Sequence, residues 1–409
     1  MESEYRAVAL GAGIGPPTAV TASKGKPTMT EIHGTCREDF EPVRERFAAN
    51  FDEGTELGAS VAVTLHGEPV VDLWAGDADS DGRPWERDTI VNVWSTTKTM
   101  AAIVMLMLAD GGDIDLEAPV ATYWPEFAAN HKDDVTVAQV LAHTAGVPGW
   151  DPAIAPDDIY DWDATVANLA AQAPWWRPGS VSGYHALSQG FLEGEIVRRV
   201  TGRTIGTFYR EEVAEPMGAD FHIGLPESED ARVAEQIPPQ MGIADLDALD
   251  PESVAVRALA SCPLTGAEPN TRQWRASEIP AAGGTGNARS VARVHSSLAN
   301  GGEVDGVRLL SPEGVEAIFT ERASGVDLVL GMDMRLGTGF GLMNETIPLS
   351  PNPRSCFWGG WGGSLAVIDL DAELSVAYVM NKMANGLVGD VRGGLLILAA
   401  YQALAGQPA

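Results

Sequence analysis

Ser95-Thr96-Thr97-Lys98 is the stretch of this sequence best suited to chemistry. A serine and a lysine three residues apart fall on one face of a helix, a turn from each other. The residues that follow, Met100 to Ala109, are apolar almost all round. An ammonium in such surroundings is hard to keep charged, so the pKa of Lys98 is expected to fall. A lysine able to take a proton, placed beside a hydroxyl, makes a nucleophile. Free N–H groups at a helix start also favour negative charge that develops nearby. The competing reading is a serine that caps the helix and a lysine that reaches for solvent, and S-x-x-K arises often by chance. The scarcity of lysine weighs against it: beyond residue 26 the chain has only Lys98, Lys132 and Lys382.

Two further segments contain reactive types. In Ser182-Gly183-Tyr184-His185-Ala186, a tyrosine held near Lys98 can act as a base or a proton relay. Taken alone, a packed tyrosine bonded to backbone is the simpler reading. In Phe357-Trp358-Gly359-Gly360-Trp361-Gly362-Gly363-Ser364, four glycines let a substrate or another chain segment approach closely. Exposed strand N–H groups there can stabilise an oxyanion. A bulged, tightly packed edge strand fits the same residues equally well. His185 either tunes Tyr184 and lines the entrance or simply packs. His143 reads as a structural residue in a turn. There is no His-x-x-x-His or Cys-x-x-Cys pair for zinc. The G-x-S-x-G elbow is absent too, because GSVSG at 179–183 has valine at its centre.

These segments need elements to hold them. Ala59–His66 and Pro69–Trp74 read as a hairpin around Gly67-Glu68. Thr96–Ala109 is apolar all round and reads as a buried helix, stopped at Asp110-Gly111-Gly112. From 113 to 280 the texture changes to tryptophans, prolines and Asp-rich loops around shorter helices such as Thr136–Ala142 and Leu187–Thr201. After Gly283-Gly284 come a helix at Ser290–Asn300 and another opened by Ser311-Pro312. A hairpin of Ser364–Leu370 with Leu374–Met380 follows, then a terminal helix at Val391–Leu404. The expected organisation is an α/β domain from 31–112 and 281–409, a mainly helical insert at 113–280, and a flexible leader at 1–30. Within that leader, GAGIG at 11–15 fails as a dinucleotide loop because Pro16 stands where a glycine belongs.

Composition narrows the function. The 409 residues include 57 acidic and 27 basic side chains, a formal net charge of −30. Such an excess disfavours nucleic acid and anionic membrane surfaces as partners. No run reaches the ~20 apolar residues of a membrane span. The start, MESEYRAVAL, lacks the basic region of a secretory signal. Three widely spaced cysteines, Cys36, Cys262 and Cys356, suit a reducing cytoplasm.

In chain order, the three reactive segments resemble the serine β-lactamase and penicillin-binding-protein superfamily. The resemblance is nearest to the class C β-lactamase-like esterases known as family VIII carboxylesterases, and it runs from about residue 40 to 405. Ser95-Thr96-Thr97-Lys98 matches the family's S-x-x-K. Tyr184-His185-Ala186 stands at its Y-x-N, and Trp358-Gly359-Gly360 stands where the lactamases have K-T-G. Asp115–Pro119 with Tyr123-Trp124-Pro125, then Val140–Gly146 and Gly283-Gly284-Thr285-Gly286, agree with it. The resemblance implies an α/β (α+β) fold of the β-lactamase/transpeptidase-like type, an antiparallel sheet flanked by helices with an inserted helical subdomain. It implies an acyl-enzyme at Ser95, with Lys98 and Tyr184 as the base system. The oxyanion would be held by the amides of Ser95 and Trp361, and Trp358, Gly359, Gly360, Trp361 and His185 would face the substrate. No metal or organic cofactor is implied.

Two departures bear on substrate. The family's asparagine of Y-x-N holds a β-lactam or peptide amide, and here the residue is Ala186. The lysine of K-T-G binds a substrate carboxylate, and here the residue is Trp358. A site without those partners discriminates against substrates that need them. Trp150, Trp175, Trp176, Trp358 and Trp361 suggest an apolar cleft instead. The expected activity is hydrolysis of short-chain, uncharged carboxylic esters. An acyltransferase on the same site is the alternative, and a β-lactamase or D-amino peptidase is a weaker one.

Overall fold

A tight turn at His66-Gly67, both in the left-handed region (φ 53° and 82°), joins β2 (Gly58–Leu65) to β3 (Glu68–Gly76). Two successive residues with positive φ give the hairpin turn that matches strand twist. This hairpin is part of the computed structural model, which describes residues 30–239, 250 and 252–406. The leader expected over 1–30, with its GAGIG stretch, lies outside the described residues except for Thr30.

The chain begins with β1 (Ile32–Cys36) and α1 (Glu41–Asp52) ahead of the hairpin. Next come β4 (Val91–Asn92) and α2 (Thr97–Asp110), then α3 (Val137–Leu141), α4 (Trp162–Ala171), α5 (Ser188–Thr201) and α6 (Ile205–Tyr209). After β5 (Phe221–Ile223) the chain forms α7 (Val254–Ala260), β6 (Gly284–Gly286) and α8 (Ala288–Ala299). The short strands β7 (Glu303–Val304) and β8 (Val307–Arg308) pair with each other, and α9 (Pro312–Glu316) follows, capped by the Ser311 side chain. The last part holds β9 (Ala323–Val326), β10 (Asp333–Leu336), β11 (Gly341–Leu342), β12 (Ser355–Gly359), β13 (Leu365–Asp369), β14 (Leu374–Met380) and α10 (Val391–Ala405).

Strands from both ends of the chain build one nine-stranded sheet, in the order β1-β3-β2-β14-β13-β12-β11-β10-β9. Every neighbouring pair is antiparallel. The seam is β2 against β14, with Ala62 opposite Ala377. Both strands are buried along their whole length, so both faces are covered. Helix α8 packs across β2, β13 and β14, while α1 and α10 pack on each other and on the sheet. The alternation of β2, with Val61, Val63 and Leu65 set against Ser60, Ala62 and Thr64, therefore separates two covered faces rather than a buried face from a solvent face.

Helix α2 is buried from Thr97 to Leu106 without interruption, which agrees with its unbroken apolar sequence. Its start differs from the sequence expectation. Trp94 adopts a left-handed conformation (φ 49°), and Trp94–Thr96 forms a 3₁₀ turn before the α-helix proper begins at Thr97. Ser95 therefore sits in a tight turn ahead of the helix. A small sheet, β4-β6-β5, holds that turn in place. The amide of Val93 donates to the Gly284 carbonyl at 2.8 Å, and the amide of Gly284 donates to Thr97 Oγ1 at 2.9 Å. A β-carbon at Gly284 would come within 2.5 Å of Thr97 Oγ1 and the Phe221 ring, so glycine is required there. Strand β5 belongs to the expected insert, yet it pairs with β6, which lies beyond the insert's end.

Candidate active site

The 3₁₀ turn, α2 and the segment before α5 bring three side chains to one point. Tyr184 Oη is 2.6 Å from Ser95 Oγ, and Lys98 Nζ is 3.2 Å from it. Lys98 Nζ also donates to the carbonyls of Ala186 at 2.7 Å and Ala281 at 3.0 Å. Lys98 and Tyr184 are each 2% exposed. Burial pulls the Lys98 pKa down to about 7, and the nearby Glu193 carboxyl opposes that fall. Burial pushes the Tyr184 phenol well up, while its hydrogen bond to Ser95 acts the other way.

These directions assign the protons. A neutral Lys98 has two N–H groups, which the two carbonyls accept, and one lone pair, which faces Ser95 Oγ. The Ser95 hydroxyl then donates to Lys98 and accepts from the protonated Tyr184. Every donor in the trio is satisfied in that state. Of the three, Lys98 is the one whose pKa burial brings toward neutrality.

Tyr184 is fixed from several sides. Its amide donates to Asp327 Oδ1 at 2.9 Å, and the same carboxylate oxygen accepts from the amides of Val329 and Leu330. Its ring lies edge-on to His143, with centroids 5.0 Å apart, and tilted against Trp358 at 5.7 Å. Lys98 Nζ is 4.8 Å from the centre of that ring. Asp327 is a positioning group that the sequence reading missed. The available signal was one carboxylate inside Val326-Asp327-Leu328-Val329-Leu330, a charge in otherwise apolar text.

The histidines serve the frame. His143 has φ 59°, and its Nδ1 accepts from the His185 amide at 3.1 Å. Burial, then His185 and Lys98, hold its pKa well below the ordinary value. The resemblance sets His185 among the substrate-facing residues, but the structure gives it different work. It is fully buried, with Nδ1 on the Gly183 carbonyl at 2.6 Å and Nε2 accepting from the Val147 amide at 3.2 Å. Both ring nitrogens are thus committed to backbone, and the ring does not line the pocket.

The glycine-rich segment divides in the same way. Trp358 is 1% exposed and stacks on His143 at 5.4 Å, behind Tyr184 and away from the pocket wall. A β-carbon at Gly359 would come within 2.4 Å of the Gly389 amide, so that glycine serves packing. Gly360 and Trp361 do reach the serine. A β-carbon at Gly360 would stand 2.3 Å from the Val93 carbonyl and 3.1 Å from the Ser95 amide. Trp361 packs edge-on against Trp94 at 4.9 Å. Arg392 braces this corner by donating to the Gly362 carbonyl at 2.6 Å, and the Gly360 amide donates to the Ser364 carbonyl at 2.8 Å. The amides of Ser95 and Trp361 have no acceptor among the hydrogen bonds of the described residues.

A pocket opens over Ser95. Its walls include Trp94, Trp150, Trp361, Leu187, Leu387 and, from α7 and the turn after it, Leu259, Cys262 and Leu264. Among the described residues, none of the lining side chains is charged. Trp175, Trp176 and Trp358, expected as cleft residues, are not part of this wall. The α7 wall was not anticipated from the sequence, where it lay in featureless insert.

The sequence pattern of the family described as Beta-lactamase matches residues 44–401. The esterase/beta-lactamase LipL of Mycobacterium tuberculosis is 36% identical over 392 residues, covering 92% of this chain and 89% of that protein. Among solved structures, a family VIII carboxylesterase is 47% identical with a TM-score of 0.85, covering 91% of this chain and 100% of that one. A penicillin-binding-protein homologue from Caulobacter crescentus is 42% identical with a TM-score of 0.84, again covering 91% and 100%.

Proposed function

The chain belongs to the beta-lactamase family, and on that premise we propose that it hydrolyses carboxylic esters through an acyl-serine formed at Ser95. The observation that carries this reading is the convergence of Lys98 and Tyr184 on Ser95 Oγ. Ser95 attacks the ester carbonyl carbon as its hydroxyl proton passes to the neutral Lys98. The amides of Ser95 and Trp361 donate to the oxyanion that forms. When the tetrahedral intermediate collapses, the C–O bond to the alcohol breaks. The leaving oxygen takes the proton back from Lys98, with the Tyr184 hydroxyl as the bridge. Water then adds to the acyl carbon with the same base, and the Ser95 hydroxyl is restored.

The pocket's composition supports uncharged esters with short acyl groups as substrates. Moving a carboxylate into an apolar site with no cation to receive it strips its hydration without replacement. Ala186 offers no amide to a peptide or β-lactam side chain. No helix among the described residues is long and apolar enough to cross a membrane. All three cysteines are free, which supports the reading of a reducing, cytoplasmic setting.

Turnover of p-nitrophenyl butyrate combined with intact-mass analysis after fluorophosphonate treatment tests the reading. One adduct on Ser95, lost with the esterase activity in a folded Ser95→Ala variant, is the expected result. Labelling that persists in that variant overturns the assignment.

A further inference from the structure

Helix α5 begins two residues after Ala186, whose carbonyl holds Lys98. Its first turns carry Gln189 and Glu193, four residues apart and therefore on one face. Each is 1% exposed. Gln189 Nε2 donates weakly to the carbonyls of Val140 and Leu141, but among the described residues its Oε1 has no partner, and neither oxygen of Glu193 has one. Buried polar atoms are nearly always hydrogen-bonded, so a fully unpartnered carboxyl is an exception that needs a reason. Packing does not supply one, because an apolar side chain would fill the same space without the desolvation penalty.

The ionisable groups around α5 narrow the reason. Helix α2 presents Lys98, α4 presents Asp163, α6 presents Tyr209, and the segments before α5 present His143 and His185. Asp163 is paired with Arg198, and the buried Glu195 with Arg198 and Arg199. Burial holds both histidines neutral and keeps the Tyr209 phenol protonated. Among the described residues, the charge that bears on Glu193 is that of Lys98, across the contact between α5 and α2, and the charge that bears on Lys98 is that of Glu193.

Resting on the ester-cleaving reading of Ser95 and Lys98, we propose that Glu193 is a positioning residue: its unpartnered carboxyl, buried across the α2–α5 contact, is the proton partner that sets the charge state of Lys98. Burial raises the Glu193 pKa to about 8, with Lys98 drawing it back, and lowers that of Lys98 to about 7. Near neutrality one proton is therefore divided between the two groups, as acid with amine or as carboxylate with ammonium. During acylation Lys98 takes the Ser95 proton and becomes an ammonium sealed from water. The reactive form is the one that has released the shared proton, neutral Lys98 beside ionised Glu193, so the carboxylate compensates the ammonium that forms. The proton then returns to the leaving alkoxide, so the pair ends the step as it began it.

The test is the pH profile of kcat/KM for p-nitrophenyl butyrate in wild type, Glu193→Gln, Glu193→Leu and Glu193→Asp, with thermal melts alongside. Loss of the carboxyl removes the influence that raises the Lys98 pKa. The acidic limb should therefore move to lower pH by about 1 unit in the Gln and Leu variants. The plateau should fall by about 10-fold, because a weaker base must form an uncompensated ammonium. Glu193→Asp should keep the wild-type limb. Glu193→Leu should melt no lower than wild type, since it replaces an unsatisfied group with an apolar one. An infrared titration adds a readout that needs no activity: a carboxylic-acid band present in wild type at neutral pH should vanish in Glu193→Gln. A limb that stays in place while the plateau falls, or the same acid band in both proteins, overturns the proposal. If the base assignment itself is wrong, Lys98→Ala will keep near-normal Ser95 acylation, an outcome that a displaced or static limb cannot mimic.

Discussion

Tyr184 donates its phenolic proton to Ser95 Oγ at 2.6 Å, although 89 residues separate the two in the chain. Lys98 Nζ contacts the same oxygen at 3.2 Å, and the proposed mechanism treats the hydroxyl's two neighbours as a single proton-handling unit.

Removal of either neighbour should slow acylation by roughly 10²- to 10⁴-fold, the usual worth of a positioned proton-transfer group. The relevant variants are Lys98→Ala and Tyr184→Phe, read by the rate of Ser95 acylation in single-turnover experiments. The double variant should lose far less than the product of the two single losses, because the groups act on one proton. Independent, multiplying losses would show that Tyr184 acts separately from Lys98.

The pH dependence follows from Lys98. As the base must be neutral, kcat/KM should rise with pH along a limb centred near 7, far below the ordinary lysine value of 10.5. The same displacement has a signature in stability. Between about 7 and 10.5 the unfolded chain binds more protons at this position than the folded chain does. The contribution of Lys98 to stability therefore increases with pH through that window. Denaturant midpoints of wild type and Lys98→Met at pH 7.5 and 9.5 should converge as the pH rises.

Gly360 supplies a geometric prediction. A methyl group there would collide with the Val93 carbonyl and with Ser364 Oγ, at 2.3 and 2.4 Å, and would crowd the Ser95 amide. Gly360→Ala should displace the Trp361 amide relative to Ser95 and lower kcat by ~10²-fold or more, the loss seen when an oxyanion donor is removed. Substrate KM should change much less. A variant with lowered KM affinity and intact kcat would show that this corner binds substrate without stabilising the transition state.

The uncharged pocket gives a prediction about specificity, and Trp358 gives one about packing. Wild type should turn over p-nitrophenyl acetate or butyrate far better than benzylpenicillin, whose carboxylate finds no cation among the described pocket residues. Comparable kcat/KM values for the two would return the protein to β-lactam chemistry. The indole itself is buried against His143, Tyr184 and Phe357. Trp358→Lys should therefore lower stability by at least ~3 kcal/mol, since it removes a large aromatic from a packed site and adds a charge there. Its denaturant midpoint measures this.

The serine–lysine spacing, the wholly apolar helix that carries it and the strands at both chain ends are local patterns, and they were legible in the residues. A three-residue spacing on one helix face and an apolar run are properties of neighbours along the chain, so the sequence alone determined them. It also determined the departures at Ala186 and Trp358, which need only alignment with a motif. Tertiary structure decided what met what. It placed Trp94 in a left-handed conformation, so that Ser95 stands in a turn ahead of α2. It turned the His185 ring onto backbone and set Trp358 behind Tyr184, while Gly360 and Trp361 came forward to Ser95. It also brought Asp327 under Tyr184, from 143 residues away, and buried Glu193 on the helix that packs against α2. Those roles depend on which side chains share a few ångströms of low-dielectric space, and that proximity is created by packing between segments far apart in the chain.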